Sequence, residues 1–325
     1  MIVVTGAAGF IGSYVASFLA KKGYLDLILV DAFENPIKKP NYENIPAVQR
    51  VDRRELFAFL NGKEHLIQAI IHLGARTDTM EQDEEVFQQL NLAYSQKLWN
   101  YAAQNQIPFI YASSAATYGD GSLSFSDDLE LLPHLKPLNP YARSKHQFDL
   151  WVLEQVIAGK HPFFWAGLKF FNVYGPNEYH KGRMASVVFH AFHQIQKEKK
   201  VRLFKSYKPE YAHGEQKRDF IYVKDVAEVI FFLLTRRPKS DIYNLGTGNA
   251  RTFNDLVKPI FEALNLPVNI EYIDMPDSIR NTYQYFTEAK MDKLRKAGYT
   301  LPFTSIEEGV KDYVENHLMP QRYFA

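Results

Sequence analysis

The chain has 325 residues, 46% of them hydrophobic, and a formal net charge of +1, which is long for one domain and leaves room for two lobes with their own cores. The near-neutral balance gives no electrostatic case for nucleic acid or an acidic membrane, and no run approaches the ~20 apolar residues that span a bilayer. Cysteine is absent and the ten histidines show no metal-ligand spacing, so disulfides and metal sites are not expected and a reducing, cytoplasmic setting is.

Met1–Thr5 reads as a short buried strand rather than a signal peptide. It runs into Thr5-Gly6-Ala7-Ala8-Gly9-Phe10-Ile11-Gly12, followed by helical apolar spacing from Tyr14 to Lys22. Strand, glycine turn and helix form the setting of a dinucleotide fingerprint. The glycines permit close backbone approach, and the helix start offers N–H groups and a positive dipole end to a pyrophosphate. The spacing is GxxGxxG rather than the more general GxGxxG. Leu27–Asp31 supplies a second strand ending in an acid, where a ribose-binding carboxylate belongs. Further strands are expected at Ala47–Val51, Ala69–Leu73, Phe109–Ala112 and Ala166–Phe170, with long amphipathic helices at Glu84–Gln104 and Tyr141–Ile157. Asn139-Pro140 is a helix start signal, an N-cap side chain followed by proline at the first helical position.

This alternation predicts an α/β fold, a doubly wound parallel sheet (Rossmann) with a smaller mixed α/β substrate lobe. Val223–Thr235 and Ile242–Gly246 read as a helix and strand that return to the first domain. The expected boundaries are therefore 1–172 and 216–247 for the dinucleotide-binding domain, and 173–215 and 248–325 for the substrate-binding domain.

Ser113 and Ser114 end the Phe109 strand, and ligands of an open parallel sheet sit beyond such ends. Ser114 is expected beside Tyr141, although serines there are also ordinary turn formers. Tyr141 and Lys145 form YxxxK, a phenol and an ammonium one helical turn apart on one face. A free phenol has a pKa of about 10, and a nearby ammonium favours the phenolate. A tyrosine so tuned removes a proton from an alcohol while hydride leaves the same carbon. By itself the pair is also common on exposed helices. Phe171–Pro176 is expected to form a loop at the site's rim, with Asn172 as a substrate ligand or a plain turn residue. Lys181, in a loop before a helix, is a catalytic candidate or a solvated charge. Arg218 is a candidate diphosphate clamp, because guanidinium pairs bidentately with phosphate oxygens, or a surface arginine.

The stretches TGAAGFIG, SSAATYG and YARSK resemble the extended short-chain dehydrogenase/reductase family over essentially the whole chain. FNVYGPNEYHKGRMASVVFH, RDFIYVKDV and NLGTG narrow the resemblance to the branch that inverts C6 of an ADP-linked heptose for the lipopolysaccharide inner core. The resemblance implies that Tyr141, Lys145, Ser114 and Lys181 are catalytic. It implies cofactor contacts from Gly6, Gly9, Phe10, Ile11, Gly12, Asp31, Ala32, Lys38, Arg53, Leu73, Gly74, Ala75, Arg76, Thr77, Asn91, Lys145, Val173 and Lys181. Implied substrate contacts are Asn172, Arg183, His190, Phe204, Lys205, Ser206, Tyr207, Arg218 and Tyr283. The implied cofactor is tightly held NADP. An acid such as Asp31 ordinarily favours NAD, so NAD stays possible, and Lys38 and Arg53 are the cations available to a 2′-phosphate. Homo-oligomers, typically pentamers, are implied as well. One departure is KSYKPEYAHGEQK between Phe204 and Arg218, longer than the family pattern.

In that branch C6 is oxidised to a transient ketone, and the hydride returns to the opposite face. The carbonyl oxygen then points differently in the two half-reactions, so Tyr141 and Lys181 are expected to act on opposite sides. Other outcomes share most of these motifs, including UDP-hexose 4-epimerases and 4,6-dehydratases. A dehydratase typically carries an acidic pair after its strand-end threonine, which Ala116-Thr117-Tyr118-Gly119 lacks. A non-catalytic dinucleotide-sensing or RNA-binding protein on the same fold commonly loses the tyrosine or lysine, and both are present here.

Overall fold

The computed structural model describes residues 1–280 and 283–324. Apolar runs too short for helices form the buried strands β1 (Ile2–Thr5), β2 (Leu27–Asp31), β4 (Ala69–His72), β5 (Phe109–Ser114) and β6 (Trp165–Phe170), while the polar β3 (Gln49–Asp52) lies at the sheet edge with Gln49 and Arg50 exposed. Later strands are β7 (Asn172–Tyr174), β8 (Val201–Phe204), β9 (Lys217–Arg218), β10 (Phe220–Tyr222), β11 (Asp241–Leu245), β12 (Arg251–Thr252) and β13 (Ile270–Ile273). Among the described residues the main sheet has seven parallel strands in the order β11-β6-β5-β4-β1-β2-β3. Strand order reverses between β1 and β4. Such a switch point opens a crevice beyond the carboxyl ends of the strands, where open α/β sheets bind ligands.

Helices at Phe10–Lys21, Tyr94–Gln104, Pro140–Ile157 and Val223–Arg236 join strands of this sheet. Their buried faces meet the apolar strands, and an aromatic cluster marks one such layer. Trp99 packs edge-on against Phe109 (5.7 Å between ring centroids) and Trp165 (5.6 Å). Ile242 and Leu245 of β11 are buried, and the strand is hydrogen-bonded to β6, so the chain does return to the sheet after a long excursion.

Several boundaries differ from the sequence reading for physical reasons. The expected helix Glu84–Gln104 is continuous but contains a π-helical turn at Gln88–Ala93, which swings Asn91 into the core. The third strand begins at Gln49 rather than Ala47, where its pairing with Ile28 starts. The expected rim loop at Phe171–Pro176 is instead partly a strand: Asn172–Tyr174 pairs in parallel with Phe220–Tyr222, a long-range partner that local spacing does not reveal. Lys181 sits in a 3-10 turn, Tyr179–Met184, rather than an open loop. Among the described residues no helix is long and apolar enough to cross a membrane.

The helix start at Asn139 forms as its sequence demands. The Asn139 side chain accepts from the Ala142 N–H at 2.8 Å, and Pro140 occupies the first turn. Asn139→Ala is expected to cost about 1 kcal/mol of unfolding free energy, read by urea denaturation.

Candidate active site

The crevice at the switch point is a cleft of about 500 Å³. Its floor is the glycine loop. Gly6 is left-handed (φ +71°), and a Cβ there would lie 2.7 Å from the Gly74 backbone nitrogen. A Cβ on Gly12 would lie 2.1 Å from the Gly6 carbonyl oxygen. No side chain fits at either position, so loop, helix and β4 turn close on one another by backbone alone. The N–H groups of Phe10, Ile11 and Gly12 open a twelve-residue helix and have no acceptor one turn back within it. This cradle fits the pyrophosphate of a dinucleotide.

Asp31, at the end of β2, is held in place. Its carboxylate accepts from Ala8 N–H (3.0 Å) and Ala32 N–H (2.8 Å), with Lys38 3.8 Å away. Lys38 and Arg53 both line the cleft, as do Gly6, Gly9, Phe10, Ile11, Gly12, Ala32 and the whole stretch Leu73–Thr77. Lys181 lines it too, with its ammonium 5.4 Å from the Phe10 ring centroid. Three other expected cofactor residues are not among those lining this cleft. Val173 is half-buried in β7, and Lys145 is buried with its ammonium on the Ala112 carbonyl. Asn91 is buried, accepting from Arg76 N–H (2.7 Å) and donating to Arg76 O (2.9 Å) and Ser144 Oγ (3.0 Å). It shapes the β4 turn and ties it to the helix of Tyr141.

That tie extends through a buried chain that the sequence reading did not identify. Ser95 Oγ donates to Asn91 O (2.5 Å) and therefore accepts from His72 Nε2 (2.8 Å). His72 Nδ1 is then left to accept from Thr5 Oγ1 (2.7 Å), which itself accepts from Gly74 N–H (3.2 Å). Burial, then the Lys145 charge, lower the His72 pKa to about 3, so the ring stays neutral. The glycine loop and the Tyr141 helix are thus linked by neutral, satisfied hydrogen bonds.

Tyr141 and Lys145 share one face of the Pro140–Ile157 helix. Burial pushes the Tyr141 phenol up, the neighbouring Ser114 hydroxyl pulls it down, and the Asp149 carboxylate pushes it up again. The net direction is upward, against the lowering expected from Lys145. The Lys145 ammonium instead donates to the Ala112 carbonyl (2.9 Å), and burial, opposed by Asp149, lowers its own pKa to about 8. Ser114 Oγ accepts from Ala116 N–H (3.1 Å), so its own O–H is the donor available to the neighbouring Tyr141 phenol.

The Lys181 turn is anchored at both ends by one buried carboxylate. Glu178 accepts from Ser186 N–H (2.5 Å), Ser186 Oγ (2.7 Å) and Gly175 N–H (3.3 Å). Asn41 fastens the turn to the cradle: its Nδ2 donates to Ala8 O (3.0 Å) and Asn177 O (3.1 Å) and lies 3.1 Å from His180 Nδ1. Asn177 reaches Ser13 Oγ (3.0 Å) and Phe324 O (2.9 Å). Burial, opposed by Glu178, lowers the Lys181 pKa. His180, Tyr94 and Met184 also line the cleft and were missed, because nothing in local spacing marks them.

The expected substrate residues divide. Asn172 is exposed on β7, and His190 is exposed on the Val187–Glu198 helix. Arg183 is exposed and paired with Asp78 at 2.9 Å, so it is already occupied. Phe204, Tyr283 and Arg218 come together: Arg218 lies 5.2 Å from the Tyr283 ring and Tyr283 packs edge-on to Phe204 at 6.4 Å. Arg218 is buried with no carboxylate partner among the described residues, donating to Lys217 O (2.9 Å). A desolvated, unpaired guanidinium is a receptive site for an anion. In the long loop, Ser206 N–H donates to His213 Nδ1 (3.0 Å) and Tyr207 N–H to Tyr285 Oη (3.0 Å). Lys205 (3.2 Å) and the Tyr207 hydroxyl (2.9 Å) both meet Asp274.

Residues 2–246 match the NAD dependent epimerase/dehydratase family. The chain is 47% identical over 328 residues to the ADP-L-glycero-D-manno-heptose-6-epimerase of Fusobacterium nucleatum subsp. nucleatum, with 98% of each chain covered. It is 48% identical over 320 residues to the protein of the same name from Nitratidesulfovibrio vulgaris, again with 98% of each covered. The crystal structure of Helicobacter pylori ADP-L-glycero-D-manno-heptose-6-epimerase superposes with a TM-score of 0.77 at 28% identity, covering 97% of this chain and 95% of that one.

Gly12→Ala places a Cβ against the Gly6 carbonyl and forces the cradle open. It is expected to lower the dinucleotide retained through purification by about an order of magnitude, measured by absorbance after heat release, with the unfolding transition as a control for folding.

Proposed function

The chain belongs to the NAD dependent epimerase/dehydratase family, and from that premise we propose that it interconverts ADP-D-glycero- and ADP-L-glycero-D-manno-heptose at C6. The observation that carries this reading is identity near one half, over 98% of the chain, to heptose epimerases. The carbon to be inverted bears an unactivated C–H, so direct proton abstraction is unavailable. A bound nicotinamide dinucleotide supplies the alternative, taking hydride from C6 and giving it back to the other face of the resulting ketone.

The protein's part is to hold the substrate and move the hydroxyl proton. Tyr141 and Lys181 are the proposed acid/base groups, one for each orientation of the C6 oxygen. Burial disfavours the charged form of each group, raising the phenol and lowering the lysine. Ser114, beside Tyr141, offers its O–H to the reacting oxygen. Lys145 lies behind the tyrosine and contributes charge to its face of the site. Arg218 clamps the diphosphate, with Tyr283 and Phe204 beside it.

We assign the cofactor as tightly held NADP, with Lys38 and Arg53 taking the 2′-phosphate next to Asp31. Two lobes follow from the same reading, residues 1–172 and 216–247 for the dinucleotide and 173–215 and 248–325 for the heptose, in a cytoplasmic homo-oligomer.

Purified protein with no added cofactor is expected to convert ADP-D-glycero-β-D-manno-heptose into a mixture of C6 epimers, followed by proton NMR. Tyr141→Phe and Lys181→Ala are each expected to slow conversion by about 10²–10⁴. Failure to convert, even with NAD⁺ or NADP⁺ supplied, would reject the heptose assignment. A Lys181→Ala protein with normal turnover would reject the two-group scheme alone.

A further inference from the structure

Tyr141, Lys145 and Asp149 recur every fourth residue along one helix and so form a stripe. Asp149 and Lys169 are both fully buried, 2.8 Å apart. Asp149 Oδ2 also accepts from Ser113 Oγ (2.7 Å), and its Oδ1 accepts from the Tyr111 hydroxyl (3.1 Å). Lys169 donates on to Thr117 Oγ1 (2.6 Å) and lies 5.1 Å from the Tyr118 ring centroid. Thr117 Oγ1 in turn donates to Ser114 O (2.7 Å). The network therefore spans the helix of Tyr141, β5, β6 and the turn that carries Ser114.

Stability does not account for this pair. Burying two charges costs about as much as their attraction returns, and apolar replacements of similar volume are often as stable or more so. The pair is neutral overall but oriented. Its carboxylate stands one helical turn from Lys145, while its ammonium points away toward Thr117 and Tyr118. We propose that Asp149 and Lys169 are positioning residues of the reaction: their ion pair fixes the turn of Ser114 and presents a buried carboxylate one helical turn from Lys145.

The other groups around Lys145 do not substitute for that carboxylate. His72 approaches from β4 and is neutral. Tyr141 and Tyr111 are phenols raised by burial, so they carry no charge at neutral pH. His146, the next residue on the helix, is lowered by burial and by Lys169. Lys169 lies beyond the carboxylate it pairs with. Asp149 is the anion that faces Lys145.

The inference rests on Tyr141 and Lys145 being at the reacting centre, and the test separates the two ideas. Asp149→Leu with Lys169→Met replaces the pair by apolar side chains and avoids leaving a lone buried charge; Asp149→Asn is the less conservative companion. Without the carboxylate the ammonium is less favoured, so it loses its proton at lower pH. In holoenzyme carrying the double substitution, the alkaline limb of kcat/KM for ADP-heptose is expected to move down by about one pH unit. The melting temperature should stay near that of the unsubstituted protein. A purely structural pair would restore both stability and the original pH profile, which overturns the proposal. The titration of Lys145, followed by NMR of protein carrying ¹³C at the lysine Cε and assigned with Lys145→Arg, reads the effect of the same carboxylate without substrate. An unmoved midpoint overturns the proposal even if the unsubstituted protein does not act on ADP-heptose, a result that would itself reject the heptose reading.

Discussion

The close approach of Gly6 to Gly74, and of Gly12 to Gly6, is the constraint on which the rest of the site depends. With backbone packed on backbone, the start of the Phe10–Lys21 helix points its open N–H groups at the switch point between β1 and β4. Everything polar nearby is arranged around that junction. Thr5 and Gly74 begin the buried chain through His72, Ser95 and Asn91 that reaches the helix of Tyr141. Ala8, on the other side of the loop, receives Asn41, which holds the turn of Lys181. The two distant segments that carry the proposed acid/base groups are therefore referenced to one cradle.

The electrostatics follow from burial more than from pairing. Desolvation is the largest influence on Tyr141, Lys145, Lys181, His72 and Arg218 alike. It raises the phenol and lowers the lysines, which is the direction that separates an acid from a base. Buried carboxylates then adjust these values locally, Asp149 beneath Lys145 and Glu178 beneath Lys181. The surroundings of Lys145 and Lys181 share a plan: a buried lysine, and an acid a turn or less away that is saturated with hydrogen bonds.

What could be read from the sequence was whatever depends on neighbours in the chain. The glycine spacing, the acid at Asp31, the YxxxK pair and the cap at Asn139 are local patterns, and they stand where local geometry requires. The cleft wall at Leu73–Thr77 was legible for the same reason, as the turn after a buried strand. What escaped depends on partners far away in sequence. The π-helical turn that buries Asn91 responds to Arg76 and Ser144, and β7 exists because β10 lies beside it. The Asn41–His180 contact and the Arg183–Asp78 pair join residues more than one hundred positions apart. The burial that raises the Tyr141 phenol, and the Ala112 carbonyl that Lys145 meets, likewise come from elements distant in sequence.

In the proposed reaction C6 is inverted by removing a hydride and returning that same hydride to the other face, with proton traffic confined to oxygen. The most direct test is to run the interconversion of ADP-heptose to equilibrium in D₂O and examine C6 by NMR and mass spectrometry. Protium is expected to remain at C6 in both epimers through many turnovers. Deuterium at C6 would mean exchange with solvent at carbon, and would contradict the proposed reaction.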